Sequence, residues 1–168
     1  METDLNQDAM NEDHCPECGA AVAGGLTGCQ LLFEEIGFRA AQHPRIAAVH
    51  WLAVDAYCMQ HVERYCRSAK SYAAHLTGLC CGVEHGADRK IYAAIQRWLN
   101  GKVVLEKPPA LNQRGSLTIV DVLADQDVEK TRTRVKEWAD CVWGAYLSQH
   151  DIARNWLQAA LEGQRKQK

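Results

Sequence analysis

The chain is organised around the segment His50-Trp51-Leu52-Ala53-Val54-Asp55-Ala56-Tyr57-Cys58-Met59-Gln60-His61, which predicts a helix with a polar row along one side. Pro44 suits the first turn of this helix, which should run to about His61 or Cys66. His50 and His61 are eleven residues apart and therefore point the same way. They are also about 16 Å apart along the axis, which is too far to share one ion. Asp55, Cys58 and His61 follow one another at i, i+3 spacing and form the polar row.

The next helix is predicted to begin after Ser68 as its cap and to end before Gly86. If the two helices form an antiparallel hairpin, Asp55 and His75 both lie roughly 10 Å from its closed end and face each other. Gly78, on nearly the same stripe, would allow a close approach. Such a pair could help to hold a metal or act as an acid–base pair, with Asp55 as the candidate catalytic residue. It could equally be a buried network in which Asp55 satisfies His75.

A cysteine motif, Cys15-Pro16-Glu17-Cys18-Gly19, lies upstream of these helices. Two thiolates two residues apart can bind one metal ion from a single tight turn, and Cys29 adds a third on a Gly-rich loop predicted over residues 14–29. A structural zinc site needs four Cys or His ligands, so a histidine should complete it. His50, His61, His75 and His150 are all candidates, and His61 and His75 are favoured. The alternative is a free thiol pair or a redox couple, although a thioredoxin-like motif would follow a strand rather than a polar tail.

Helical periodicity accounts for most of the remaining chain and predicts an all-α fold, a helical bundle with an N-terminal Cys-rich metal-knuckle loop. A single helical domain is expected over residues 14–163, between a disordered tail at 1–13 and a basic tail at 164–168. A first helix is expected around Leu31–Ile36, where Gly37 weakens or ends it, and another between Asp88 and Gly101. A Thr118/Asp121 capping box should open a short helix, and one possible strand lies at Lys102–Leu105. A long helix is expected from about Asp127 to Leu147, followed by a last one that carries Trp156.

Composition limits the classes of function. The 168 residues carry 19 basic and 21 acidic side chains, and this near-balance argues against a nucleic-acid partner. No apolar run approaches the roughly 20 residues of a membrane span, and the N-terminus does not read as a secretory signal. The expected location is therefore cytoplasmic, where the eight cysteines would be reduced thiols or metal ligands. A small molecule or a protein remains possible as a partner.

Taken together, the motifs resemble an uncharacterised family of small bacterial proteins without an assigned activity. The resemblance rests on the CPxCG turn, Gly28-Cys29, His50-x4-Asp55-Ala56-Tyr57-x2-Gln60-His61, Lys70-Ser71-x3-His75-Leu76, Leu117-Thr118-Ile119-x-Asp121-Val122 and Trp138-x4-Trp143-x6-His150. It implies that Cys15, Cys18, Cys29, His50, Asp55, His61, Ser71, His75 and His150 belong to the family pattern. A looser similarity is to DinB-like helical bundles, cytosolic proteins with a histidine-lined divalent metal site, some of which transfer thiol groups.

Two functions are compatible with this sequence. The first is a zinc-binding helical protein in which the metal is structural and the protein serves as a binding or regulatory module. The alternative is a DinB-like, divalent-metal-dependent enzyme, either a hydrolase or a thiol transferase. Structural zinc sites are closed by four protein ligands, whereas catalytic sites keep an open position. The number of protein ligands around the metal therefore separates the two.

Overall fold

The computed structural model describes residues 13–165, with side chains described as far as residue 163. The two predicted tails fall almost entirely outside these residues. Within them the protein is all-α, as predicted, and contains no strand. None of the described helices is long and apolar enough to cross a membrane. The helices are α1 (Gly25–Gln42), α2 (Pro44–Gln60), α3 (Val62–Tyr65), α4 (Ala69–Glu84), α5 (Arg89–Asn100), α6 (Ile119–Val122), α7 (Val128–Ala145) and α8 (His150–Arg165).

Helix α2 lies at the centre of the bundle, in contact with α1, α4 and α7. Because it is covered on three sides, its second half is buried almost all round, and every residue from Asp55 to Gln60 is buried. A helix in this position cannot keep a polar face in water. Its polar side chains must therefore find partners inside the protein.

Local signals fix the helix ends where the sequence places them. Ser68 accepts a hydrogen bond from the Ser71 amide and closes a capping box at the start of α4. Asp88 caps α5 through the Lys90 amide, and Thr118 and Asp121 form the predicted capping box of α6. These caps satisfy backbone N–H groups that have no partner within the helix.

The structure differs from three local predictions. Helix α1 runs through Gly37, since the buried face formed by Ile36 and Ala40 outweighs the roughly 1 kcal/mol cost of a helical glycine. The same helix already begins at Gly25, so Cys29 lies on a helix rather than on a loop. The expected strand at Lys102–Leu105 is an extended segment instead, in which Val104 is 99% exposed and pairs with no strand.

One buried side chain joins three parts of the bundle. The Gln60 amide donates to the carbonyls of Arg114 and Leu117, at 3.1 and 2.9 Å, and its Oε1 accepts from the Trp138 indole at 2.9 Å. The Arg114 guanidinium in turn donates a hydrogen bond to the Gln60 carbonyl at 3.1 Å. These bonds attach the long loop before α6 to the end of α2 and hold α7 against the same point.

Helices α2 and α4 approach closely at Gly78, as the glycine stripe predicts. An ideal Cβ built on Gly78 would lie 2.7 Å from Cγ of Asp55, well inside van der Waals contact. The carboxyl group of Asp55 therefore occupies the space that any other residue at position 78 would fill.

Gly78→Ala should lower the free energy of unfolding by about 2 kcal/mol, because the added methyl group must displace a buried carboxyl group and separate two packed helices. Gly144→Ala in α7 is the matched control, since a Cβ there meets nothing within 4 Å. The control should be neutral or stabilising by up to about 1 kcal/mol. Urea unfolding followed by circular dichroism measures both, and equal effects of the two substitutions would contradict this packing.

Candidate metal centre

Three cysteines and one histidine converge at the end of α2. Cys15 and Cys18 come from the N-terminal turn, Cys29 from the first turns of α1, and His61 from the residue that follows α2. Their ligand atoms all lie within 4.8 Å of one another. Nε2 of His61 is 3.4 Å from Sγ of Cys15 and 3.5 Å from Sγ of Cys29, and the sulfurs of Cys18 and Cys29 are 3.7 Å apart. The group could hold a metal ion.

These spacings match those required by a tetrahedral zinc ion. Bonds of about 2.3 Å to sulfur and about 2.0 Å to nitrogen put two sulfurs roughly 3.8 Å apart, and a sulfur and a nitrogen roughly 3.6 Å apart. The donor set, three cysteines and one histidine, is also a common structural zinc set. Cys15, Cys29 and His61 are at most 1% exposed, and Cys18 is half-buried.

The first two cysteines are held by a tight turn. The Gly19 amide donates to the Cys15 carbonyl, and the Cys15 amide donates to the Ala20 carbonyl, both at 2.8 Å. Gly19 has a φ of +76°, in the left-handed region where a glycine carries no steric penalty. This turn brings the chain back on itself, so Cys15 and Cys18 face the same point.

His61 presents the correct nitrogen for metal binding. Its Nδ1 lies 2.7 Å from the Tyr57 carbonyl, and a carbonyl only accepts, so Nδ1 carries the proton and Nε2 is free to bind. Metal-binding imidazoles in proteins are usually oriented in this way, by a hydrogen bond from the ring nitrogen that does not bind the metal. Tyr57 also stacks on the ring of His61 with centroids 4.0 Å apart, and Phe33 stacks on the other face of Tyr57.

Two thiols of the group, those of Cys15 and Cys18, are difficult to ionise without a cation nearby. Burial raises the pKa of Cys15, although backbone hydrogen bonds from Cys18 and Glu17 oppose this. The neighbouring thiol of Cys29, together with burial, raises the pKa of Cys18 to about 12. A divalent cation would supply the positive charge that allows such thiols to lose their protons.

The other predicted metal ligands lie elsewhere. His75 is not beside the cysteines: its Nδ1 is 2.9 Å from Oδ1 of Asp55, across the α2–α4 contact where the matched axial levels predict it. His50 faces Gly37 of α1, outside the cysteine group, and its Nε2 is 3.8 Å from the point that a Cβ on that glycine would occupy. His150 stacks on Trp143 and donates from Nε2 to the Trp143 carbonyl at 2.8 Å.

Asp55 forms a second buried polar network that is separate from the cysteine group. Its Oδ2 lies 3.5 Å from the Tyr92 hydroxyl, which donates to the Gly78 carbonyl at 3.1 Å. Burial raises the pKa of Asp55 to about 6, and the hydrogen bond from His75 opposes that shift only in part. The Asp55 carboxyl group therefore changes its protonation state at a higher pH than an ordinary aspartate, and the network supplies it with hydrogen-bond partners in its buried position.

Sequence reasoning missed two further features. A second group, Cys80, Glu84 and His85, also has its ligand atoms close together, but Glu84 already accepts hydrogen bonds from Arg154 at 2.6 Å and Trp143 at 3.2 Å. The other feature is a polar cleft of about 660 Å³ beside Cys18, formed by the cysteine turn and the loop before α6. Its polar lining includes Glu17, Asn112, Gln113, Arg114 and Ser116.

The protein is therefore an all-α bundle with a Cys₃His group at its N-terminal end. Residues 13–147 match the family of unknown function DUF5946, and the chain belongs to that family. This agrees with the resemblance to an uncharacterised family, while the likeness to DinB-like bundles remains a prediction. Neither a curated protein nor a solved structure matches the chain.

The buried Asp55 should make stability depend on pH. The pKa of Asp55 is about 6 in the folded protein and 3.8 ordinarily. The folded protein therefore binds the proton of this carboxyl group more tightly than the unfolded chain does. The resulting stabilisation is fully present below about pH 3.8 and is lost as the pH rises through 6. The free energy of unfolding of the unsubstituted protein, minus that of Asp55→Asn, should therefore fall by about 2 kcal/mol between pH 4 and pH 7.

Urea unfolding at a series of pH values measures this difference. Both proteins keep the cysteine group, so its own pH dependence cancels. Asp140→Asn, an exposed carboxylate on α7, is the control and should show no such trend. A difference that grows with pH would mean that the ion pair with His75 outweighs the burial of the carboxylate.

Proposed function

We propose that Cys15, Cys18, Cys29 and His61 hold one zinc ion, and that this zinc is structural. The observation that carries the proposal is the closed donor set: four protein atoms at tetrahedral spacing, three of them from buried residues. With four protein ligands there is no position left for water or a substrate. The zinc would supply charge neutralisation for the thiolates and a cross-link between segments.

The cross-link attaches the segment before α1 to the helices. The residues before α1 contribute little apolar surface, and Cys15 and Ala20 are their buried hydrophobic members. Zinc would tie this segment to α1 through Cys29 and to the end of α2 through His61. In small zinc domains, metal binding of this kind supplies a large part of the folding free energy.

The protein would then act as a binding or regulatory module, with the zinc maintaining the shape of its surface. A reducing, cytoplasmic location is part of this proposal, because metal binding needs the three cysteines as thiolates. The partner would be a small molecule or a protein rather than a nucleic acid, in keeping with the near-balanced charge.

A divalent-metal-dependent enzyme of DinB-like character is the second candidate, and one observation favours it. Cys18 is the half-buried member of the group, and it lines the polar cleft that also holds Glu17 and Arg114. If Cys18 left the metal, a substrate in this cleft could take its place. Asp55 does not line that cleft, so this candidate would rely on Glu17 rather than Asp55 for proton transfer.

Substitution of the ligands tests the zinc site. Cys15→Ser and His61→Gln should reduce the zinc content from about one per chain to well below one, and should lower the melting temperature. His75→Gln and Cys141→Ser are matched controls that lie outside the group and should keep their zinc. Elemental analysis of proteins purified from zinc-replete medium gives the content. Full zinc in His61→Gln, or equal loss in His75→Gln, would refute the assignment.

Cobalt substitution distinguishes a structural site from a catalytic one. Co²⁺ in a closed tetrahedral thiolate site should give intense visible absorption that azide does not change. A change in the spectrum on adding azide would reveal an exchangeable position and favour the enzyme. If the site is structural, azide should change the cobalt spectrum of Cys18→Ser but not that of the unsubstituted protein, because loss of one thiolate opens a position on the metal.

A further inference from the structure

A groove lies between α2 and α5. Tyr92, which belongs to the Asp55 network, forms part of its lining. It has a volume of about 280 Å³, near the lower end of the range for small-molecule sites. Trp51 of α2 lines it together with four residues of α5: Arg89, Tyr92, Ala93 and Gln96. Neither the metal centre nor the polar cleft beside Cys18 shares a lining residue with it.

Two aromatic side chains, Trp51 and Tyr92, line this groove. Trp51 is 69% exposed, which leaves most of a large indole in water on a helix that is otherwise buried at its centre. Tyr92 is held in place, since its hydroxyl donates to the Gly78 carbonyl at 3.1 Å and lies 3.5 Å from Asp55. Tyr92 is thus fixed by the buried network, whereas the Trp51 indole is largely exposed to solvent. Aromatic surfaces of this kind favour stacking with a ligand ring.

The charge in the groove points to an anion. Arg89 is the charged residue of its lining, and its guanidinium makes no hydrogen bond or ion pair with any residue for which side chains are described. The neighbouring carboxylate of Asp88 accepts the Lys90 amide at 2.7 Å as the helix cap and forms no ion pair with Arg89. The N–H groups of the Arg89 guanidinium are therefore available to an anionic group of a ligand.

Arg89 also stands where helix electrostatics disfavours it. It is the first residue of α5, at the positive end of the helix dipole, where acidic side chains are favourable and basic ones are not. The first turn of α5 contains no acidic residue. The carboxylate of the cap residue Asp88 offsets part of this unfavourable interaction, and an anionic group bound in the groove would offset more of it.

We propose that this groove binds a small aromatic molecule that carries one anionic group. The ring lies between Trp51 and Tyr92, the anionic group pairs with Arg89, and the Gln96 amide is available for a further hydrogen bond. This site does not depend on the metal assignment, since no ligand of the proposed zinc takes part in it. The proposal rests on the proposed role as a binding module and specifies the class of ligand that the module would bind.

Binding of 2-naphthoate to the zinc-loaded protein tests the proposal by isothermal titration calorimetry. One saturable site is expected. Naphthalene-2-methanol, which lacks the charge, and cyclohexanecarboxylate, which lacks the aromatic ring, should each bind at least tenfold more weakly. No saturation by 2-naphthoate up to 10 mM (about the weak limit of such measurements) would overturn the proposal, and so would equal affinity for the neutral analogue.

Substitutions with matched controls locate the site. Arg89→Gln should weaken binding of 2-naphthoate about tenfold through loss of a charge-assisted hydrogen bond, and Trp51→Ala should weaken it about fivefold or more through loss of stacking. Lys90→Gln removes the next cation along α5, and Phe38→Ala removes a comparably exposed aromatic residue of α1, 64% exposed. Both controls should change affinity less than twofold. Equal weakening in a control and its partner would show nonspecific attraction and refute the site.

Both test residues are exposed, so the variants should fold normally, which circular dichroism verifies. A two-dimensional amide spectrum adds a direct readout, because 2-naphthoate should shift the indole N–H signal of Trp51 and leave those of the buried tryptophans in place. Shifts at other indoles without a shift at Trp51 would place the ligand elsewhere and reject the groove.

Discussion

The burial of the second half of α2 is the constraint on which the rest of the structure depends. Three polar side chains, Asp55, Gln60 and His61, lie there at 6%, 1% and 0% exposure, where an unpaired polar group would cost several kcal/mol. Gln60 is satisfied by neutral hydrogen bonds, since it donates to carbonyls of the loop before α6 and accepts from the Trp138 indole of α7, so it contributes rigidity. Asp55 pairs with His75 in a network that can titrate. His61 uses one nitrogen for a backbone carbonyl of α2 and turns the other toward the cysteines. The proposed metal site is thus built on the same helix end that anchors the core.

The Asp55 network also connects the interior to the surface. Gly78 makes room for the carboxyl group, and its carbonyl accepts the Tyr92 hydroxyl, whose ring then forms one wall of the groove beside Trp51. A carboxyl group with a raised pKa lies behind that wall.

The sequence by itself determined the all-α class, most helix ends and the composition of the cysteine turn. These features are local: capping residues, glycines and helical periodicity act within a few residues, and the CPxCG turn needs only its own backbone. The pairing of Asp55 with His75 was also within reach, because the axial rise of a helix is constant and a hairpin fixes the relative levels.

Tertiary structure alone decided which histidine meets the cysteines. Sequence spacing left His50, His61, His75 and His150 as candidates and favoured His61 and His75 without separating them, and the choice depends on where α1 returns along α2. That path is set by the packing of the buried face of α1 against α2, which carries α1 through Gly37 and brings Cys29 to the end of α2. The groove beside α5 was invisible for the same reason, since its walls come from helices whose contact depends on the whole core. Long-range packing is cooperative, and no short segment encodes it.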